Sequence, residues 1–219
     1  SPIIPSYMNS ILRIPLNGTP EQINSLLELQ RAFAQVCNAL APLVQQTRCW
    51  NRVTLHHLAY KQLRDQFPLM GSQMVCNAIY SVSRTGRLVF QHPESPFNLA
   101  RLGNRPLPHL RFADSAPVYF DRHTLSVKNG HLSMYTLEGR IRFHLALRPQ
   151  DEARFHAEKL REIVLSRTVV GGFELSFQFA DADAQAQEAA ESNTGDIPEY
   201  VLIEEDTSAA EAVKESMNV

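Results

Sequence analysis

The candidate binding residues with the clearest spacing lie in one segment, residues 140–148, which reads Arg-Ile-Arg-Phe-His-Leu-Ala-Leu-Arg. Alternate residues of a β-strand point to opposite faces, so this pattern places Arg140, Arg142, His144 and Arg148 on one face. Cations about 7 Å apart along an extended backbone match the phosphate repeat of a nucleic-acid strand. The segment therefore predicts contacts with a polyanion, and an ordinary solvated sheet face is the alternative.

Charge is distributed unevenly along the chain. Residues 1–180 contain 20 Lys and Arg against 12 Asp and Glu, a net of +8, whereas residues 181–219 contain only Lys214 against 11 acids, a net of −10. Arginine supplies 17 of the 20 cations of the first part, and its planar guanidinium suits phosphate contacts and base stacking. Arg101, Arg105 and Arg111 extend the basic character into the connection before residue 140. The charge predicts a nucleic-acid partner, with an ordinary Arg-rich surface as the alternative.

Aromatic and amide groups beside arginines form a second candidate contact. Trp50 follows Arg48 and precedes Asn51 and Arg52. A tryptophan among cations can stack on a base. The alternative is a core tryptophan at a turn between two helices.

Motifs for catalysis and metal binding are missing from the sequence. There is no G-x-S-x-G elbow, no Gly-rich phosphate loop with a lysine and no H-E-x-x-H. His56 and His57 are adjacent, so on a helix they point about 100° apart and cannot chelate one ion. We expect no catalytic residues, no metal and no cofactor, and an enzymatic site built from His56, His57 and Asp65 is the alternative.

Cysteine usage and hydropathy indicate the compartment. Three cysteines without a C-x-x-C pair favour neither a disulfide framework nor a zinc ribbon. No run of about 18 apolar residues is present, and the first residues lack the pattern of a signal peptide. We expect a reduced, cytoplasmic protein with no membrane partner.

Three helices are predicted in the first half of the chain. The first begins with Thr19 as N-cap and Pro20 at the first helical position, and its apolar period runs to about Gln46. The second covers about Val53 to Gln66, and the third begins at Ser72 and stops at Gly86. Residues 10–16 before them form a predicted strand.

Strands dominate the sequence after Gly86. Residues 87–90 are predicted as a strand, and Asn129-Gly130 predicts a hairpin. The expected fold class is α+β, with a small β-barrel (residues 8–17 and 87–180) interrupted by a three-helix insertion (residues 18–86). Residues 181–219 are expected to form an acidic, mostly disordered tail. Residues 197–203 of that tail are the exception, because they could dock on the body or on a partner.

The order of several segments resembles the N-terminal region of TnpB-type transposon proteins, which are RNA-guided nucleases related to type V CRISPR effectors. The segments are PEQI at 20–23, AL at 39–40, LAYKQLRDQFP at 58–68, SQMVCNAI at 72–79, DSAPVYFDRHTLSVK at 114–128 and YTLEGRIR at 135–142. The resemblance covers about residues 8–180. It implies a prokaryotic protein that associates with the nucleoid when it is on DNA.

The resemblance also implies a fold and partners. In that family a wedge barrel interrupted by a helical recognition unit holds a guide RNA and reads a short DNA motif beside the target. Carried over, Arg140, Arg142 and His144 would lie toward the RNA, together with the other candidate cations. The DNA-motif contacts would come from the helical unit, namely Asn51, Tyr60, Ser72, Gln73 and Asn77.

One part of the family pattern is not found in this chain. The RuvC-like nuclease half, with its acidic triad, would begin where the acidic tail is. We therefore expect a non-catalytic subunit that binds guide RNA and recognises a target DNA duplex, with any RuvC-like nuclease on a separate chain. The alternative is an adaptor or inhibitor of such a nuclease, in which the acidic tail mimics nucleic acid.

Overall fold

The computed structural model describes residues 11–180 and 195–205, which form a mixed α+β fold. This confirms the predicted fold class. The helical elements are α1 (Pro20–Thr47), α2 (Arg52–Gln66), α3 (Ser72–Gly86), a π-helical turn (Arg87–Gln91), α4 (Leu99–Leu102) and α5 (Pro149–Ala157). The strands are β1 (Ile11–Leu16), β2 (His109–Phe112), β3 (Val118–Phe120), β4 (Leu125–Lys128), β5 (His131–Thr136), β6 (Gly139–His144), β7 (Lys159–Arg167), β8 (Phe173–Ala180) and β9 (Val201–Glu204).

The strands form three antiparallel sheets within the described residues. Their orders are β1-β8-β7-β3, β4-β5-β6 and β2-β9. The closed barrel predicted from the sequence is not found there. A turn at Asp121 separates β3 from β4. The Asp121 carboxylate stabilises this turn by accepting hydrogen bonds from the amides of His123 and Thr124 at 3.2 and 3.0 Å. Such an Asx-type turn redirects the chain, so β4 begins a new sheet.

Helix α1 begins as the sequence predicts. The amide of Gln22 donates to Thr19 Oγ1 at 3.2 Å, and the amide of Thr19 donates to Gln22 Oε1 at 3.0 Å, which completes the capping box. The Gln22 side chain also donates to the Arg142 carbonyl at 2.9 Å. The start of α1 is therefore fixed to strand β6.

The prediction of a strand at residues 87–90 is wrong, because α3 continues into the π-helical turn Arg87–Gln91. Gly86 has right-handed helical angles and does not end the helix as a glycine C-cap would. A Cβ atom at Gly86 would lie 2.6 Å from Cβ of Trp50. The glycine thus permits close approach of Trp50.

Helices and sheets share one hydrophobic cluster, and α1 contributes an apolar stripe that includes Phe33 and Leu40. The fully buried Gln30 is satisfied, because it donates to the Ala116 carbonyl at 3.1 Å and accepts from Arg167 Nε at 3.0 Å. Cys37 is also buried, and burial raises the pKa of its thiol to about 12. The domain boundaries stay a prediction.

The acidic tail contributes one strand to the body. β9 pairs antiparallel with β2, so that Arg111 lies opposite Leu202 and His109 opposite Glu204. The segment 197–203 therefore docks on the body, one of the two alternatives predicted for it. Residues 181–194 and 206–219, where disorder is predicted, lie outside the described residues.

No helix in the described parts of the chain combines the length and the apolar character needed to cross a membrane.

Candidate nucleic-acid interface

The hairpin between β4 and β5 sets which side chains share a face of the three-stranded sheet. Asn129 and Gly130 both have positive φ, 51° and 73°, as a two-residue hairpin turn of the predicted type requires. Lys128 is therefore opposite His131, and His131 is opposite His144 on β6. Three basic or imidazole side chains lie side by side across the sheet.

The same register extends the row along the strands. Arg142 lies opposite Ser133, and Arg140 lies opposite Tyr135. The other face is apolar and carries the buried Leu132, Met134 and Phe143. We call the polar side the outer sheet face, made of Ser126, Lys128, His131, Ser133, Tyr135, Arg140, Arg142 and His144. None of these eight residues is acidic.

The positive charge of the outer sheet face is not compensated by ion pairs among the described residues. Arg140 is held over the sheet, because Nε donates to Ser133 Oγ at 2.9 Å and Nη1 to the His123 carbonyl at 3.3 Å. Within the same part of the chain, the Arg142 side chain forms no hydrogen bond, and the ring of His144 lies 5.2 Å from that of His131. These exposed cations can contact an anion without first breaking an ion pair.

The predicted strand 140–148 is shorter in the structure and ends at His144. Its pairing partner β5 begins at His131, which is opposite His144, so no β5 residue remains for the rest of the segment. Arg148 instead precedes α5 and donates two hydrogen bonds to Asp151, at 2.8 and 3.2 Å. Arg148 is therefore not part of the predicted row, and its charge is partly compensated.

The other three predicted RNA-binding arginines are exposed but engaged inside the chain. Arg101 donates to the Ser95 carbonyl at 3.1 Å, and Arg105 donates to the Leu102 carbonyl at 3.1 Å. Arg111 forms an ion pair with Glu204 of β9, with 3.4 Å between Nη1 and Oε1. These arginines keep their charge, but they also hold loops and the tail strand in place.

The first turn of α3 lies beside the outer sheet face. The hydroxyl of Tyr135 accepts a hydrogen bond from the Gly71 amide at 2.9 Å, just before Ser72. Gln73, on the same turn, donates to the Asp121 carboxylate next to the turn that leads into β4. The structure thus brings Ser72 and Gln73, predicted to face DNA, next to the sheet that contains the strand predicted to face RNA.

The remaining predicted DNA contacts are spread out. Tyr60 stacks on His56, with ring centroids 4.5 Å apart, and His56 Nδ1 lies 4.0 Å from Cys76 Sγ on α3. Asn51 caps α2 by accepting from the Thr54 amide at 3.1 Å. It lies nine residues before Tyr60, about 14 Å along the helix at 1.5 Å per residue.

Asn77 needs a correction as a candidate DNA contact. It is only 5% exposed, and its amide nitrogen contacts Met74 Sδ at 3.6 Å. At 3.6 residues per turn, Asn77 lies one turn beyond Gln73 and about 140° around the helix from Ser72, where α3 already packs into the core. Its amide does not reach the surface on which a base edge could be read.

Two residues of the alternative enzymatic site, His56 and His57, have separate environments on α2. The rings of His56 and His57 are 6.3 Å apart and nearly perpendicular, at 88°. His56 contacts Cys76, and burial raises the pKa of that thiol, which favours the protonated form over the nucleophilic thiolate. Among the described residues, no group of three or more His, Cys, Asp or Glu is placed to hold a metal ion.

Sequence reasoning did not select five of the eight residues of the outer sheet face, and three of these five carry a basic, imidazole or phenol group: Lys128, His131 and Tyr135. The signal was available for two of them. A two-residue turn at Asn129-Gly130 makes Lys128 and His131 direct cross-strand neighbours, so the hairpin prediction already implied their pairing. The hydrogen bond from the Gly71 amide to Tyr135 joins residues 64 positions apart, and no local pattern indicates it.

Comparison of the sequence with protein-family models and with curated proteins gives no match. The resemblance to TnpB-type proteins therefore stays a prediction.

Proposed function

We propose that this chain is a non-catalytic subunit that binds a guide RNA and recognises target DNA in a TnpB-like or type V CRISPR-like complex. The observation that carries the proposal is the outer sheet face, where Arg140, Arg142 and Lys128 lie on one exposed surface without an ion-pair partner among the described residues. An extended, cationic sheet surface binds the phosphates of RNA and leaves its bases free to pair.

The first turn of α3 supplies the DNA contact in this proposal. Ser72 is exposed at the N-terminus of a 15-residue helix, where the partial positive charge of the helix favours phosphate. Gln73 follows Ser72 on the same turn and Tyr60 lies on α2, and an amide such as that of Gln73 can read base edges. The three-stranded sheet and the helices would then correspond to the wedge and recognition units of the family.

The pairing of tail strand β9 with body strand β2 suggests how the acidic tail could limit binding of nucleic acid to the basic surface. Glu204 neutralises Arg111 in the structure, and the rest of the acidic tail carries further negative charge. We propose that the tail lowers non-specific binding by competing for basic side chains. Any strand cleavage would come from a separate RuvC-like nuclease subunit, and neither a cofactor nor a membrane takes part.

Binding measured with matched charge variants tests the RNA contact. The double variant Arg140→Gln/Arg142→Gln removes two charges from the outer sheet face. The control Arg13→Gln/Arg31→Gln removes two exposed charges elsewhere. Each lost phosphate contact lowers the slope of log affinity against log salt by about 0.7 to 0.9, so the double variant should lose about 1.5. The control should keep the slope of the natural sequence, and equal slopes for the two variants would contradict the proposal.

Co-purification separates this function from the adaptor or inhibitor alternative. The chain purified from its native host should carry RNA of a defined size, and that RNA should be lost in the Arg140→Gln/Arg142→Gln variant. An RNA-free complex with a nuclease chain would overturn the proposal in favour of the alternative.

A further inference from the structure

A cleft at the opposite end of the α2–α3 pair from Ser72 has the features of a ligand site. It lies where α1 ends, α2 begins and α3 passes into the π-helical turn. Its volume is about 590 Å³, within the range of about 300 to 1,000 Å³ typical of small-molecule sites. The lining residues that carry chemistry are Arg48, Trp50, Asn51, Arg52, Tyr80 and Arg87.

The cleft is strongly cationic. Three arginines line it, none of its lining residues is acidic, and none of the three forms an ion pair within the described residues. Arg52 is held by Tyr80, whose ring centroid lies 5.3 Å from the guanidinium carbon. Arg48 donates to the Arg105 carbonyl at 2.9 Å, so it contributes mainly charge, whereas Arg87 is exposed. Three fixed positive charges in one concave site attract an anion.

Helix ends modify this field only slightly. The N-terminus of α2 faces the cleft with a partial positive charge, and the C-terminus of α1 adds a partial negative one. Each helix end is worth about half an elementary charge, so the two nearly cancel. The three guanidinium groups therefore determine the sign of the site.

An aromatic wall gives the cleft its second property. The indole nitrogen of Trp50 donates to Gln91 Oε1 at 3.0 Å, and its ring lies 5.5 Å from that of Phe90. These contacts fix the indole at the edge of the cleft. A fixed indole beside arginines is a stacking platform for a nucleobase.

Two amide side chains of the cleft, Asn51 and Gln91, use their oxygens as acceptors in contacts with other described residues. Asn51 uses its oxygen to cap α2, and Gln91 uses its oxygen to accept from Trp50. Within the part of the chain that the structure describes, the amide nitrogen of each side chain has no acceptor and can donate to a carbonyl group of a base. Charge, an aromatic surface and amide donors are thus combined in one cavity.

We propose that this cleft binds a nucleoside 5′-monophosphate group, either free or as the terminal nucleotide of a single strand. The phosphate lies between Arg52 and Arg87 within the field of Arg48, and the base stacks on Trp50. An acidic peptide would match the charge, but it would leave the indole and the amide donors unused. This site is separate from the outer sheet face. The proposal of nucleotide binding in the cleft therefore does not depend on whether that face binds RNA.

Trp50 is the only tryptophan of the chain, so its fluorescence reports on the cleft alone. The probes for titrating the full chain are uridine 5′-monophosphate, uridine and inorganic phosphate. We expect saturable quenching by the monophosphate and binding at least about tenfold weaker for uridine and for phosphate. No saturable quenching up to about 10 mM monophosphate, corresponding to very weak affinity, would overturn the proposal. Binding of inorganic phosphate as tight as that of the monophosphate would also overturn the proposal, because it would show that the base contributes nothing.

Variants assign the phosphate contact. Arg87→Gln and Arg52→Gln should each lower the monophosphate affinity about tenfold, because each removes a charged hydrogen bond. Arg13→Gln and Arg140→Gln/Arg142→Gln should leave it within about twofold. If the outer-face variant abolishes RNA binding but not nucleotide binding, the two sites are distinct. An unchanged affinity in Arg87→Gln and Arg52→Gln would overturn the proposal.

A uridine hexamer identifies the source of the nucleotide. If the hexamer with a 5′-phosphate quenches Trp50 more tightly than both the monophosphate and the 5′-hydroxyl hexamer, the ligand is the end of a strand. If it binds no better than the monophosphate, the ligand is a free nucleotide. Tighter binding by the 5′-hydroxyl hexamer than by its phosphorylated counterpart would contradict the placement of the phosphate.

Discussion

The hydroxyl of Tyr135 accepts a hydrogen bond from the Gly71 amide and donates one to the Leu69 carbonyl, both at 2.9 Å. Tyr135 stands on the outer sheet face opposite Arg140, and Gly71 is the N-cap of α3. One phenol therefore joins the sheet that carries the exposed arginines to the helix that carries Ser72 and Gln73. The Tyr135 hydroxyl therefore couples the two halves of the proposed interface, beside the hydrogen bond from Gln73 to Asp121.

Tyr135→Phe should weaken this coupling. The change keeps the ring and removes both hydrogen bonds, so the free energy of unfolding should fall by about 1 to 2 kcal/mol. Urea unfolding measures this change. Tyr60→Phe is the control, because the Tyr60 hydroxyl forms no hydrogen bond with another described residue, and it should change stability by less than about 0.5 kcal/mol. Equal effects of the two variants would show that the Tyr135 hydroxyl does not join the two elements.

Glu204→Gln should raise the affinity for random single-stranded RNA. The change frees Arg111, whose side chain is 65% exposed, from an acid that is 53% exposed. Because exposed pairs contribute little, stability should change by less than about 1 kcal/mol and affinity should rise about two- to threefold at low salt. Fluorescence anisotropy measures the affinity. Glu205→Gln removes the same charge without breaking a described ion pair, so a rise as large in this control would argue against a specific contact of Arg111.

Local patterns in the sequence predicted much of the fold. The capping box at Thr19 and the Asn129-Gly130 hairpin depend on neighbouring residues, and both are found in the structure. Helix α3 ends at Gly86 as predicted, but the chain continues into the π-helical turn, because Gly86 does not have the C-cap conformation that a glycine after an apolar period usually indicates. The approach of Trp50, which is 36 residues away, determines its actual role. Long-range contacts of this kind are not encoded in any local period.

For the candidate site, too, the sequence predicted the local arrangement of side chains but not the features that depend on distant contacts. Alternation correctly placed Arg140, Arg142 and His144 on one exposed face. It could not show that β6 stops at His144, since the length of a strand depends on its partner. It also could not show that Asn77 is buried, because burial on α3 depends on how α1 packs against it.

Alkaline pH should destabilise the protein through Tyr80. Burial, and after it the neighbouring Glu162, raises the pKa of Tyr80 to about 12, whereas an unfolded tyrosine has a pKa of about 10. The folded chain keeps this proton between about pH 10 and 12 while the unfolded chain loses it, so stability falls as the pH rises through that range.

Tyr80→Phe tests this assignment. It should reduce the loss of unfolding free energy across that range by up to about 1.4 kcal/mol per pH unit. At neutral pH the variant should be less stable by about 1 kcal/mol, because the hydrogen bond to Glu162 is lost. Urea unfolding at several pH values gives both quantities. If Tyr80→Phe and Tyr60→Phe have the same alkaline slope, Tyr80 is not the group that titrates.

Gly86→Ala should destabilise the fold and disturb Trp50. Alanine is the better helix former by about 1 kcal/mol, but its Cβ would lie 2.6 Å from Cβ of Trp50. The ring of Phe90 and the hydrogen bond to Gln91 hold the indole in place, so Trp50 cannot move away freely. Overpacking costs about 1 to 3 kcal/mol and should outweigh the gain in helix propensity.

We expect a net loss of about 1 to 2 kcal/mol in urea unfolding for Gly86→Ala, with a red shift of the Trp50 emission as the indole moves toward solvent. Gly172→Ala is the matched control, because the nearest atom to its Cβ is Thr168 Oγ1 at 3.4 Å, an ordinary contact distance. It should leave the emission unchanged. A Gly86→Ala protein that is more stable than the natural sequence would mean that Trp50 does not press on α3 as described.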